Sequence, residues 1–385
     1  MSMRSRRFRH ATVPLLALLA ATAVAIPLLV HGGGGAAGGG GDADSNGADR
    51  FGVTSASPAV DDRNTGGPAE RPGPAEPTRR PLAAAGRAVP ATPAGKLRFG
   101  LGPGLDSAHT SPLAPDLDFL STWYNGPNDL SFLRKWKADL IPEVYQSGHG
   151  IHLIVWLDGT GEVGTVQTAH GPACGREYPL SSGFLDDARE LASIFSGPAN
   201  GPALYVTLFT EFQTYPCHPN AWATTPDTTN YYLTLQDQYL AALDIFHSGA
   251  PNARVSLGWG GWQSRWDDPA TGAGRSLITH FADVLRVSDF ESFQAMGADS
   301  NAADVRDMTR ALGQYGPVML AHFKSESQAT WEADMHALLA GDAVRQLSQD
   351  GLFALSFMDA ANIASPAALS LARGAVQSHG VHSTL

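Results

Sequence analysis

Leu204-Tyr205-Val206-Thr207-Leu208-Phe209-Thr210-Glu211-Phe212-Gln213 is an apolar, β-branched and aromatic run that closes on a carboxylate and an amide. A run of that kind reads as a strand buried on both faces, as in a parallel sheet covered by helices. Seven more stretches read the same way: Leu97–Gly104, Phe119–Asn125, Ile151–Gly159, Arg254–Gln263, Phe290–Gly297, Val318–Lys324 and Leu352–Asp359. Between most of them apolar residues recur at spacings of three and four, which predicts helices over Leu130–Ser147, Gly183–Ser196, Tyr231–His247, Ser276–Val287, Ala302–Tyr315 and Thr330–Ser348. Eight strands alternating with helices over residues 97–385 predict a (β/α)8 barrel. An open doubly wound sheet is the rival. It ordinarily carries a phosphate-binding glycine pattern at its first helix. Here Phe99-Gly100-Leu101-Gly102-Pro103-Gly104 runs on toward Pro112 and Pro115 instead.

Charge divides the 385-residue chain. Residues 1–96 hold 11 Lys/Arg and 7 Asp/Glu, whereas residues 97–385 hold 15 and 30. That acidic body argues against nucleic acid as a partner, because a duplex needs a basic surface. Two cysteines exclude a disulfide-dense scaffold. At the start, Arg4, Arg6, Arg7 and Arg9 precede the uncharged apolar stretch Ala11–Val30. This is the pattern of a secretory signal or of a single-span signal anchor over residues 1–30, and either exports the C-terminal body. Residues 31–96 contain 15 Gly and 8 Pro. They are expected to form a disordered linker, having too little apolar surface to offset their ordering entropy.

A barrel presents its chemistry at the C-terminal ends of its strands. Those ends carry Trp123 and Asn125, Trp156 and Asp158, Glu211 and Gln213, Trp259 and Trp262, Gln294, His322 and Lys324 with Glu326 just beyond, and Asp359. Strict alternation places Thr207, Phe209, Glu211 and Gln213 on one face, expected to point inward. A structural role for Glu211, paired with Lys324 or Arg265, is the alternative. Asp158 is followed by Gly159, so it reads either as a site residue or as a turn aspartate. Glu291 is expected in the middle of the barrel, satisfied by Arg98 or His152. Glu326 is either a strand-seven carboxylate or the first-turn acid of the next helix.

Six of the eight tryptophans (Trp123, Trp156, Trp222, Trp259, Trp262 and Trp266) fall at strand ends or in the following loops. Indole faces stack on sugar rings, and Asp, Glu, Asn and Gln bond sugar hydroxyls, so this is the composition of a saccharide site. No tight metal-ligand spacing and no nucleophile elbow is present, and no cofactor is expected. Cys174 and Cys217 fall in the loops after strands three and four. In an exported protein they are expected to pair, because adjacent strands bring those loops together at one mouth.

Eight strand–helix units with a glutamate ending strand four, and carboxylates near the end of strand seven, resemble the (β/α)8 glycoside hydrolases of the large retaining clan. The resemblance implies that Glu211 is the acid/base and Glu326 the nucleophile, with Asp158, Glu291 or Asp359 as other candidates for the second carboxylate. Two positions depart from that pattern. Thr210 stands where the clan has Asn or His before its glutamate, and Glu326 lies two residues past Lys324. The expected substrate is an envelope or environmental polysaccharide. A polysaccharide lyase using His322 or Lys324 as base, and a barrel that only binds glycan, are the alternatives.

Overall fold

The computed structural model describes residues 87–219, 222, 225–267, 276–297 and 300–381. The signal or anchor segment expected over 1–30 and the linker over 31–86 lie outside the described residues. Among the described residues no helix is long and apolar enough to cross a membrane.

The first three strands are β1 (Arg98–Leu101), β2 (Phe119–Tyr124) and β3 (Gly150–Val155). They are followed by β4 (Val163–Thr168) and β5 (Gly171–Arg176), an antiparallel hairpin outside the barrel. Five more complete the wall: β6 (Leu204–Leu208), β7 (Ala253–Gly260), β8 (Glu291–Ala295), β9 (Val318–Phe323) and β10 (Leu352–Phe357). Without the hairpin the strands close in sequence order, β10 returning to pair with β1, and every wall pairing is parallel. The chain is a (β/α)8 barrel, and each of the eight expected strands is present.

Three of the expected helices are broken; the one over 276–287 is a 3-10 turn, Ile278–Phe281, and a four-residue helix, Ala282–Leu285. The stretch over 130–147 is two helices, Leu130–Trp136 and Leu140–Gln146. The one over 330–348 splits into Gln328–Leu339 and Asp342–Gln349 at Gly341, whose φ of 51° no regular helix accommodates. A C-terminal helix, Pro366–His379, packs against Gln328–Leu339; its Ser365 cap accepts from Ala368 N–H. The two faces of the wall are distinct. Outward residues such as Leu153, Val206 and Leu257 join the large core under the helices. The inward bottom layer is a separate cluster of Phe119, Tyr205, Phe290, Met319 and Phe353. Its rings meet edge to face, Tyr205 lying 5.7 Å from both Phe119 and Phe290, and such pairs contribute about 0.5–1.5 kcal/mol each beyond burial.

Residues 87–96, expected in the linker, lie against this end of the barrel. Val89 packs on the aromatic layer, Arg254 Nε donates to Ala88 O at 2.6 Å, and the Arg87 backbone N–H donates to the Asp289 carboxylate. They cap the N-terminal end of the strands, so the opposite end is the one left for a site.

Candidate active site

Above the aromatic layer the barrel interior becomes polar. Ser356 and Ser121 hydroxyls lie 2.8 Å apart, and Ser121 meets His152 Nδ1 at 3.3 Å. His152 Nε2 meets Thr207 Oγ1 at 2.9 Å, and Ser256 and Ser292 continue the chain at 2.7 Å. These residues come from alternate positions of six wall strands, so alternation alone aligns them. Burial pushes His152 down to about 3, which keeps it neutral at physiological pH. A neutral imidazole with both nitrogens engaged is a structural spacer within the barrel.

One tier higher, the rings of Trp123 on β2 and His322 on β9 stack across the interior, with centroids 4.3 Å apart and planes 8° from parallel. His322 reaches that position through a bulge. The register between β8 and β9 runs Phe293↔Leu320 and then Gln294↔His322, stepping over Ala321. His322 Nδ1 thereby meets Gln294 Oε1 at 3.0 Å. Both side chains are almost fully buried, and His322 Nε2 has no hydrogen-bond partner among the described residues. Burial, with His152 nearby, holds the His322 imidazole well below its ordinary value.

Glu211 stands at the rim of this tier by an irregular route. Regular β6 ends at Leu208; then Phe209 (φ 54°) and Glu211 (φ 59°) both take left-handed backbone, costly for residues with a side chain. The ladder survives the turn: Thr210 N–H donates to Val155 O at 2.9 Å and Glu211 N–H to Gly258 O at 3.1 Å. The twist sends Phe209 outward, against Phe184 at 4.8 Å, and ends the alternation that was expected to carry Glu211 inward. Gly258 makes room for it, since a Cβ there would lie 2.8 Å from Thr210 Cα. Burial, and then the charge of Asp158, raise the half-buried Glu211 carboxyl to about 7. Gln294 and Trp156 partly offset this as hydrogen-bond donors to the carboxylate, although Gln294 Nε2 falls short of ordinary hydrogen-bond geometry.

The hairpin supplies the adjoining wall. Cys174 on β5 is disulfide-bonded to Cys217 with Cα atoms 5.3 Å apart, as expected, and Cys217 N–H donates to Cys174 O at 3.0 Å. Two residues on, Arg176 Nε donates to Asp158 Oδ1 at 3.0 Å, and its backbone N–H donates to Tyr215 O. The loops after the third and fourth barrel strands are thus tied together, with the Asp158–Arg176 ion pair beside Glu211. Residues of the hairpin and of the loop after β2, among them Val163, Thr165, Asn125 and Asp129, line a groove of about 850 Å³.

The structure brings together Trp123, Trp156, Asp158, Glu211, Gln294 and His322. Trp262 joins them, its ring lying over Gly260, where a Cβ would come within 2.4 Å of it. Other expected site residues are placed elsewhere. Trp259 points to the outside of the wall, wholly buried against Phe212 at 4.8 Å and Phe281 at 5.7 Å, so it is a core residue. Gln213 is fully buried, accepting from Gly260 N–H at 3.0 Å, and fixes the turn after β7. Glu326 is exposed in the loop beyond β9, ahead of the Ser327 cap of Gln328–Leu339, so the inward strand-seven position belongs to His322. Asp359 caps its own turn, accepting from Ala361 N–H at 2.8 Å. Asn125 is exposed and bonded to Asp129 Oδ2, and Lys324 is half-buried at the end of β9.

Three expected pairings are replaced. Arg265 engages Asp304 at 2.7 Å, not Glu211. Arg98 engages Asp118, and His152 engages its hydroxyl neighbours, so neither satisfies Glu291. Glu291 faces outward between Phe290 and Ser292, fully buried with neither carboxyl oxygen hydrogen-bonded among the described residues, and burial holds it well above the carboxylate range.

No known protein family matches the sequence, and no curated protein does. Solved structures similar to it include a psychrophilic glycoside hydrolase family 10 endo-β-1,4-xylanase, at 12% identity and a TM-score of 0.45, covering 69% of this chain and 86% of that one. The catalytic domain of a Thermobifida fusca endoglucanase in complex with cellotetraose superposes at 13% identity and a TM-score of 0.43, covering 69% and 79%. A β-1,4-mannanase from the sea hare Aplysia kurodai does so at 11% identity and 0.42, covering 74% and 92%.

Sequence reading missed Arg176 and the hairpin that carries it. The available signal was the β-branched content of Val163-Gly164-Thr165-Val166-Gln167-Thr168 ahead of Gly171. Chemically, the mouth offers a carboxyl that exchanges its proton near neutral pH, a second carboxylate held by a guanidinium, and indoles around both.

Proposed function

We propose that this chain is an exported glycoside hydrolase-like protein that cleaves a glycosidic bond in an envelope or environmental polysaccharide. The observation that carries the reading is Glu211. It is a carboxyl at the barrel mouth whose burial holds its proton to about pH 7, beside a second carboxylate and among tryptophans. A general acid works best when its pKa lies near the working pH. Glu211 protonates the glycosidic oxygen as the C–O bond breaks. Asp158 is the second carboxylate: it takes a proton from the water that attacks the anomeric carbon, or stabilises the positive charge developing there. Arg176 and Thr214 both engage Asp158 Oδ1, which leaves Oδ2 for that role. Glu326 drops out as nucleophile because His322 holds its place. Trp123, Trp156 and Trp262 present ring faces for the sugar. Export is supported by the Arg-rich start ahead of Ala11–Val30 and by the Cys174–Cys217 bridge, which persists in an oxidising compartment.

The test is turnover of a polysaccharide panel by reducing-end release, wild type against Glu211→Gln. The expected loss is about 10²- to 10⁴-fold. Cleavage at the wild-type rate by the folded variant removes Glu211 from the mechanism. One observation favours a second reading, a barrel that binds glycan without cutting it: the inward strand-seven position holds an imidazole where a retaining enzyme of the resembled clan has a carboxylate. Oligosaccharide binding by calorimetry with no reducing ends released from any substrate selects that reading.

A further inference from the structure

His322, Gln294 and Glu211 lie together at the top of the barrel. Gln294 is 2% exposed; its Oε1 meets His322 Nδ1 at 3.0 Å, and its amide nitrogen lies near the Glu211 carboxyl, short of an ordinary hydrogen bond. His322 is itself 1% exposed and stacked face to face on Trp123, so the plane of its ring is fixed. An amide between an imidazole and a carboxyl has two orientations, and they do opposite things to the carboxyl. With Oε1 on the imidazole, the amide nitrogen faces Glu211 and favours the ionised form. With the amide reversed, Oε1 faces Glu211 and favours the protonated form. What selects between them is which His322 nitrogen carries hydrogen, and at which position.

We propose that His322 is a positioning residue that acts on Glu211 through Gln294: its Nδ1–H donates to Gln294 Oε1 and so holds the amide nitrogen turned toward the Glu211 carboxyl. The inference rests on the reading of Glu211 as the acid/base and adds how its proton is tuned. It accounts for three features together: the bulge that replaces Ala321 by His322 at this level, the Trp123 stack, and the His322 Nε2 left without a partner. The neutral Nδ1–H tautomer leaves a single lone pair, on Nε2, and an imidazolium would not. Burial and the neighbouring His152 keep the ring neutral.

The other titratable groups around Glu211 are Asp158 with its Arg176, on the third-strand end and the hairpin, and Tyr215, in the turn that Glu211 opens. Lys324 and Asp359 stand at the ends of β9 and β10. None of them contacts Gln294 through a hydrogen bond among those the structure gives, so changes at His322 reach Glu211 through the amide.

The experiment is a titration of the Glu211 side-chain carboxyl by carbon-13 NMR on the free protein, with the resonance assigned by its loss in Glu211→Gln. No substrate is needed, so the result is independent of whether the protein cleaves glycan; turnover tests that reading separately. His322→Phe keeps a ring on Trp123 and removes the donor. The amide is then free to reverse, and the Glu211 midpoint is expected to rise about tenfold in proton affinity. His322→Asn places an amide N–H near the Nδ1 position and is expected to keep the wild-type midpoint. Gln294→Leu removes the bridge with the stack intact, so it must reproduce the rise even if His322→Phe does not fold. An unchanged midpoint in Gln294→Leu, or an equal rise in His322→Phe and His322→Asn, overturns the proposal.

Discussion

Glu211→Gln should make the protein more stable at alkaline pH while it abolishes turnover. The folded carboxyl holds its proton to about 7, against an ordinary value of 4.5. Below pH 4.5 the glutamate is protonated in both folded and unfolded chains, and it contributes no pH dependence. Between pH 4.5 and 7 the unfolded chain releases the proton while the folded one retains it. Wild-type stability therefore falls as pH rises, by about 1.4 kcal/mol for each pH step. Above pH 7 both states are ionised and the penalty levels off at about 3 kcal/mol, the cost of a carboxylate poorly solvated and close to Asp158. Glutamine has the same shape, takes the same left-handed backbone and never ionises, so the variant escapes this penalty. Urea unfolding of both proteins at pH 4.5 and pH 8.5 measures it, and titrating groups that do not interact with Glu211 cancel in the difference. The expected result is near-equal stability at the acid end and a variant ahead by about 3 kcal/mol at the alkaline end. A gap that does not change with pH, or a wild type ahead at pH 8.5, refutes the burial argument.

The two tryptophans after the fifth barrel strand should behave differently. Trp259→Ala, which empties a fully buried site against Phe212 and Phe281, is expected to cost about 3–5 kcal/mol in thermal unfolding. Trp262→Ala is expected to leave the melting temperature nearly unchanged and weaken oligosaccharide binding in calorimetry; the reverse pattern contradicts the assignment. Replacing Cys174 and Cys217 together by serine opens a bridge with sequence separation 43, for which the chain-entropy relation gives about 4 kcal/mol. Equal urea midpoints for this variant and the oxidised wild type would show that the bridge does not stabilise the fold. Gly258→Ala puts a Cβ 2.8 Å from Thr210 Cα, and a strained backbone there is expected to cost about 1–3 kcal/mol and to move the Glu211 midpoint. Wild-type stability together with an unmoved midpoint argues against the close packing of β6 on β7.

The amino-acid pattern by itself determined the barrel. Leu204–Leu208 and the seven matching runs are apolar on both faces because each is covered by helices on one side and by its own barrel on the other, and that constraint is written into composition. The same pattern placed Trp123, Trp156, Asp158 and Glu211 at strand ends, and the Cys174–Cys217 pairing followed from strand adjacency. What only the tertiary structure decided are the positions where the two-residue period breaks. The left-handed backbone at Phe209 and Glu211 turns Phe209 out of the barrel. The bulge at Ala321 brings His322 into line with Gln294, and the turn after Gly260 carries Trp262 over the mouth, whereas Trp259 shares the outward face of Leu257 by regular alternation. Alternation assigns faces only while backbone dihedrals stay extended, and one irregular residue reverses every assignment after it. Arg176 was illegible for another reason. Its grip on Asp158 spans 18 positions through a hairpin outside the barrel, and a contact between residues that far apart in the chain is fixed by packing rather than by any local pattern.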